Sequence, residues 1–176
     1  PVYHQDFRLL ISKYKELFDT LSKKYTLNIC FSSYQNTPSF MKEIIFKNNW
    51  RIHMINEEDS LQFSSCCDYL QTIDNGYPIL IIRSDLIMKD RLIHCLANFD
   101  YQKCEQLMLL GEEPNGKFND ILFILPFKYK IELISNLLNS THGHKIKGIP
   151  LCFLETEKRW CVSKRNKYYE IYRGKI

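Results

Sequence analysis

The chain has 176 residues, 45% of them hydrophobic and 25% charged, with a formal net charge of +4. That is one globular domain's worth of chain, long enough for a sizeable core, and no apolar run reaches the ~18 residues of a transmembrane helix. The small positive balance favours polyanionic partners and says nothing about fold.

Phe7, Leu10, Ile11, Tyr14, Leu17, Phe18 and Leu21 recur at helical spacing over residues 7–24, with Lys13, Lys15, Lys23 and Lys24 on other faces. A first strand is expected over 27–31, ending in Ser32-Ser33. Pro38 opens a helix with Phe40, Met41, Ile44 and Ile45 inward. Residues 51–55 read as a second strand. A helix over about 58–75 follows, with Leu61, Cys66, Tyr69, Leu70 and Ile73 inward and Gly76 as its stop. Residues 79–82 are apolar without alternation, as strands covered on both faces are. The polar pair Ser84-Asp85 follows at the carboxyl end, where open parallel sheets handle ligands.

Residues 86–91 read as a short helix or turn, 92–97 as a fourth strand and 102–110 as a helix. Residues 111–116 read as a loop and 120–125 as a fifth strand, with Pro126 opening a helix to about residue 139. A strand over 149–154 and a small hairpin of 160–162 with 168–172 close the chain. Alternating strands and helices predict an α/β fold, a doubly wound parallel sheet with helices on both faces. Residues 1–145 form the main lobe; 146–176 add a strand and a basic hairpin to the same domain.

The seven cysteines, Cys30, Cys66, Cys67, Cys95, Cys104, Cys152 and Cys161, show no CxxC and no paired zinc-ligand spacing. Their odd number and apolar settings favour reduced core thiols of an intracellular protein over disulfides. The chain opens at Pro1-Val2-Tyr3 with no basic-then-apolar leader. A start at proline suggests a segment of something longer.

The run Ile73-Asp74-Asn75-Gly76-Tyr77-Pro78-Ile79-Leu80-Ile81-Ile82-Arg83-Ser84-Asp85, followed by Asn98-Phe99-Asp100-Tyr101, resembles the second RecA-like lobe of DEAD-box RNA helicases. There a glycine precedes Pro-Ile-Leu-Val-Ala-Thr-Asp, and Asn-Tyr-Asp-Phe comes later. The resemblance covers roughly residues 7–139. It implies a RecA-like fold, with Ser32-Ser33 in a phosphate-contacting turn and Ser84 standing for a threonine that touches the RNA backbone. Asp85 is the family's aspartate. The implied partners are RNA and a first RecA-like lobe.

The departures strip the chemistry. The family's His-Arg-Ile-Gly-Arg-Thr-Gly-Arg segment aligns with Met108-Leu109-Leu110-Gly111-Glu112-Glu113-Pro114-Asn115. Gly111 survives, while Leu109, Glu112 and Asn115 replace arginines. Arginine in phosphoryl transfer contributes roughly 10³–10⁵ in rate, so ATP, the family's cofactor, is expected to bind weakly or not at all. A scaffold kept without catalysis is similar to the helicase-like region of Yb-type Tudor-domain proteins of the Piwi-interacting RNA pathway. That likeness implies RNA binding and self-association, or association with other small-RNA pathway proteins, in cytoplasmic granules. The alternative is an active helicase half that needs its first lobe.

Lys164, Arg165 and Lys167 crowd the C-terminal segment among Trp160, Tyr168, Tyr169 and Tyr172, a mixture suited to single-stranded nucleic acid. A solvated hairpin whose aromatics cover the sheet edge, or dock a neighbouring domain, is the simpler and favoured reading. His142 and His144 lack a third metal ligand, and Glu57-Glu58-Asp59 suit a helix start. Neither Ser32-Ser33 nor Cys30 has a base at nucleophile spacing, and no hydrolase constellation is visible. The runs 86–88 and 107–110 are expected to flank the ligand edge as docking surface, or else to be buried.

Overall fold

A computed structural model describes residues 7–56, 63–84, 86–111, 121–139, 146–154 and 168–171. In chain order these form α1 (Phe7–Ser22), β1 (Cys30–Tyr34), α2 (Ser39–Lys47), β2 (Arg51–Ile55), α3 (Ser64–Thr72), β3 (Ile79–Ile82) and β4 (Leu86–Met88). Then come α4 (Asp90–Asn98), β5 (Leu107–Leu109), β6 (Leu122–Leu125), α5 (Lys130–Leu138), β7 (Leu151–Phe153) and β8 (Tyr169–Ile171). Short 3-10 turns precede β5 and α5.

The central sheet runs β3-β6-β5-β7. Residues two apart on its strands share a face, so Leu80, Ile82, Met108, Leu122 and Ile124 meet the core of α1 and α4. Ile79, Ile81, Leu107, Leu109, Phe123 and Leu125 meet the core of α3 and α5. Helices therefore cover both faces. All four side chains of β6 are 0–1% exposed, each stabilised by about 1.5–3 kcal/mol on burial. That explains its unbroken apolar run.

Helix α1 buries Leu10, Ile11, Tyr14, Leu17 and Leu21 and packs on α4 and β4. Phe18, Phe31 and Trp50 join α1 to β1 and β2, with Phe18 edge-on to Trp50 at 5.2 Å and Phe31 stacked on it at 5.4 Å. Beyond α2, Asn49 takes φ 58°, a left-handed turn that asparagine tolerates better than most residues. The turn delivers the chain directly into β2.

The sheet is mixed, which corrects the doubly wound parallel expectation. β1 pairs β2 and β5 pairs β7 in parallel, but β6 is antiparallel to both β3 and β5. β3, β5 and β7 thus share one direction, and β6 is the reversed strand of the four. Elements between β3 and β5 also differ from expectation. Residues 92–97 are helical, not a strand: Leu92, Ile93, Leu96 and Ala97 are buried while Arg91, His94 and Asn98 are exposed, a 3.6-residue repeat. Residues 86–88 are a strand instead of a turn. Residues 107–109 are also a strand, with Leu107 and Leu109 fully buried on one face and Met108 on the other.

Of the expected terminal hairpin, 160–162 lies outside the described residues. Its second arm, β8, pairs antiparallel with β4. No helix among the described residues is long and apolar enough to cross a membrane.

Candidate functional site

β1, α2 and β2 make one parallel βαβ unit, and its carboxyl edge is polar. Along β1, Ser32 and Ser33 point to opposite faces. The Thr37 hydroxyl donates to the Tyr34 carbonyl at 2.6 Å. It therefore accepts from Ser33, whose Oγ is 2.6 Å away. This pair sits where the chain turns into α2, and Thr37 is buried. Pro38 at the N-cap of α2 makes no side-chain cap bond, and the helix dipole favours negative charge at this corner. The Lys42 ammonium adds a full charge, donating to the Gln35 carbonyl at 3.0 Å.

The opposite face of β1–β2 carries a second polar group that meets α3. Ser32 is registered beside His53. Ser32 Oγ lies 2.9 Å from Ser65 Oγ, and His53 Nε2 lies 2.6 Å from Asp68 Oδ2. The His53 ring also rests against Tyr69, with centroids 5.3 Å apart. Sequence reasoning found no base near Ser32 because His53 and Asp68 come from different elements. The fold brings them together, yet the arrangement holds α3 rather than activating a nucleophile. The Ser32 hydroxyl is engaged by a buried Ser65, and His53 Nε2 is engaged by Asp68.

Ser84 is exposed in the turn after β3, and the Tyr14 hydroxyl donates to the preceding carbonyl of Arg83. β1 and β3 belong to different hydrogen-bonded sheets, so Ser33 and Ser84 do not end neighbouring strands. Leu109 is fully buried in β5, and Gly111 is buried two residues on. Asp85, Glu112, Asn115, Lys164, Arg165 and Lys167 lie outside the described residues, as do His142, His144 and residues 57–59. The runs expected as docking surface are core: Leu86, Met88, Leu107, Leu109 and Leu110 are each 0% exposed.

Cys30, Cys66, Cys67, Cys95, Cys104 and Cys152 are free thiols. Desolvation pushes the Cys66 thiol up to about 12 and that of Cys67 to about 11. Burial also raises Cys30, against weaker opposing hydrogen bonds from Tyr69 and the His53 backbone. Such thiols are protonated and inert. Among the described residues no group of three or more His, Cys, Asp or Glu is arranged to hold a metal ion. A hollow of ≈ 150 Å³ lies between α3 and the end of α5, lined by Ile55, Ser64, Cys67, Asp68, Gln71 and Leu138. Small-molecule sites are usually about 300–1,000 Å³.

Fold and edge together define a mixed α/β domain with a polar strand-end corner. Compared with protein-family models, curated proteins and solved structures, the chain matches none.

Proposed function

We propose that this domain is a non-catalytic, helicase-like module of a larger RNA-processing protein, acting through RNA binding and self-association. The observation that carries the reading is the carboxyl edge of the β1–α2–β2 unit. There Ser33 and Thr37 hold the turn into α2 through their own hydrogen bonds, and the N-terminal end of α2 and the Lys42 ammonium, which keeps hydrogens beyond the one given to Gln35, supply the positive potential suited to a phosphate oxygen. Within this reading the likeness to a RecA-like lobe belongs to the half from α1 to β3. From Leu86 onward the antiparallel pairings depart from it.

The buried position of Leu109 supports the non-catalytic half of the proposal. The segment that would carry the family's arginines begins as a core strand, and a strand covered by α3 and α5 presents no guanidinium to a phosphate. Burial of the thiols and engagement of Ser32 and His53 support the same view. Small-RNA silencing granules of the cytoplasm are the proposed setting, with other proteins of that pathway as further partners.

Calorimetry with ATP, and phosphate release with RNA present, test the proposal. It expects neither binding heat nor turnover. Clear ATP turnover by the isolated chain overturns it in favour of the active half-helicase.

A further inference from the structure

We infer that two copies of this chain pair antiparallel through the exposed face of α5, with Ile131 of each copy set against Leu138 of the other. This rests on the self-association part of the proposed function and gives it a surface. The apolar runs around Leu86 and Leu107 are core and offer none.

Ile131 and Leu138 are 66% and 37% exposed. They stand two turns apart on α5 and, with Ser135 between them, form a stripe about 10 Å long. The opposite side of the helix, Leu133, Ile134 and Leu137, is spent on the core shared with α3. Folding therefore leaves the stripe uncovered. Among the described residues no other helix exposes two large apolar side chains on one face. Phe40 and Phe46 of α2 are both exposed but lie about 120° apart around its axis.

The stripe is complementary to itself. A two-fold axis passing midway between Ile131 and Leu138 sets each against the other in the second copy and puts the small Ser135 near the crossing. Leu138 also lines the hollow of ≈ 150 Å³ with Ile55 and Cys67. A hollow of that order takes a benzene-sized apolar group, and the Ile131 side chain of the second copy arrives at its rim.

The charges obey the same axis. In an antiparallel helix pair the same flank of each helix meets. Glu132 and Asn136 share one flank of α5. There Asn136 Nδ2 donates to the Lys147 carbonyl at 3.0 Å, and its Oδ1 accepts from the Lys147 amide at 2.8 Å. Lys147 is thereby pinned beside the middle of the helix. The axis brings the level of residue 132 opposite that of residue 137, so Glu132 of each copy faces Lys147 of the other. Both side chains are exposed. Apolar stripe and charges related by one two-fold axis fit a second copy, since an unrelated partner has no need of that symmetry. One helix face buries less than the roughly 800 Å² per partner of a stable interface, so the pair is weak and forms at high concentration.

Sedimentation equilibrium at rising concentration tests this on the unaltered chain and on Ile131→Asp, Glu132→Lys and Lys147→Glu, all exposed positions. The mass of the unaltered chain should rise toward that of two copies. Ile131→Asp should weaken pairing about tenfold or more, because a two-fold contact uses the residue twice. Glu132→Lys and Lys147→Glu should each weaken it alone and restore it when mixed, since both cross-pairs are then of opposite charge. A dimer insensitive to all three substitutions overturns the α5 face and leaves self-association through another surface. Weakening by each charge change without recovery in the mixture overturns the two-fold arrangement. A chain that stays monomeric at every concentration overturns the self-association reading together with this face, while the ATP test stands apart from both.

Discussion

The side-chain oxygens of Ser32 on β1 and Ser65 on α3 lie 2.9 Å apart, and this contact seats the helix on a polar patch of sheet. Beside it, His53 and Asp68 make the second link. Ser65 is buried and Ser32 half-buried, so removing the Ser32 hydroxyl strands that of Ser65 away from water. Ser32→Ala is expected to cost about 1–3 kcal/mol. The double change Ser32→Ala with Ser65→Ala should cost less than the sum of the two singles. Urea unfolding of all four chains measures this, and strict additivity contradicts the pairing.

Leu109 tests whether the degenerate segment retains latent chemistry. It is fully buried in the core formed with α3 and α5. Leu109→Arg restores the residue type of the helicase pattern but places an unpaired charge in that core. Loss of the folded state, or destabilisation by more than about 4 kcal/mol, is expected. Circular dichroism with thermal melting reads it. A stable variant that gains ATP turnover contradicts the core assignment.

Alkaline stability follows from the buried thiols. Desolvation favours the neutral forms of Cys66 and Cys67, so their folded-state values of about 12 and about 11 stand above the ordinary 9.0. Burial raises the Tyr101 hydroxyl as well. The unfolded chain therefore ionises first. The stabilisation is whole below about pH 9 and is lost as pH rises toward 12. Melting temperature should be flat against this term up to pH 9 and then fall, less steeply in Cys66→Ala. Iodoacetamide at pH 8 should spare Cys66 and Cys67 until the protein unfolds.

Sequence periodicity made some elements legible and hid others. α1 is readable from Leu10, Tyr14, Leu17 and Leu21 because sixteen residues carry several turns of one repeat. β2 and β3 are readable because flanking polar residues and turns bound them, including Gly76 at φ 75°. The run from Leu92 to Ala97 is too short to separate a buried strand from a helix by its apolar residues alone. Reading it as a strand put a helix where β5 lies; the reversal of β6 against β3 and β5 is a separate matter of pairing that no apolar run announces. Ser33 at the strand-end corner was visible from local order. Thr37, His53, Ser65 and Asp68 were not, since their partners lie on other elements or beyond the turn. Only the approach of α3 to β1 and β2 creates the second polar group.

RNA binding by the polar edge is the central claim, and fluorescence anisotropy with a labelled single-stranded RNA tests it most directly. Titrations at about 50 and about 200 mM salt, on the unaltered chain and on Ser33→Ala, Lys42→Ala and Ser84→Ala, form the measurement. Binding led by phosphate contacts should be indifferent to sequence and weaken steeply as salt rises, with Lys42→Ala reducing the salt slope by about one. Affinity unchanged by salt and by all three substitutions contradicts the account.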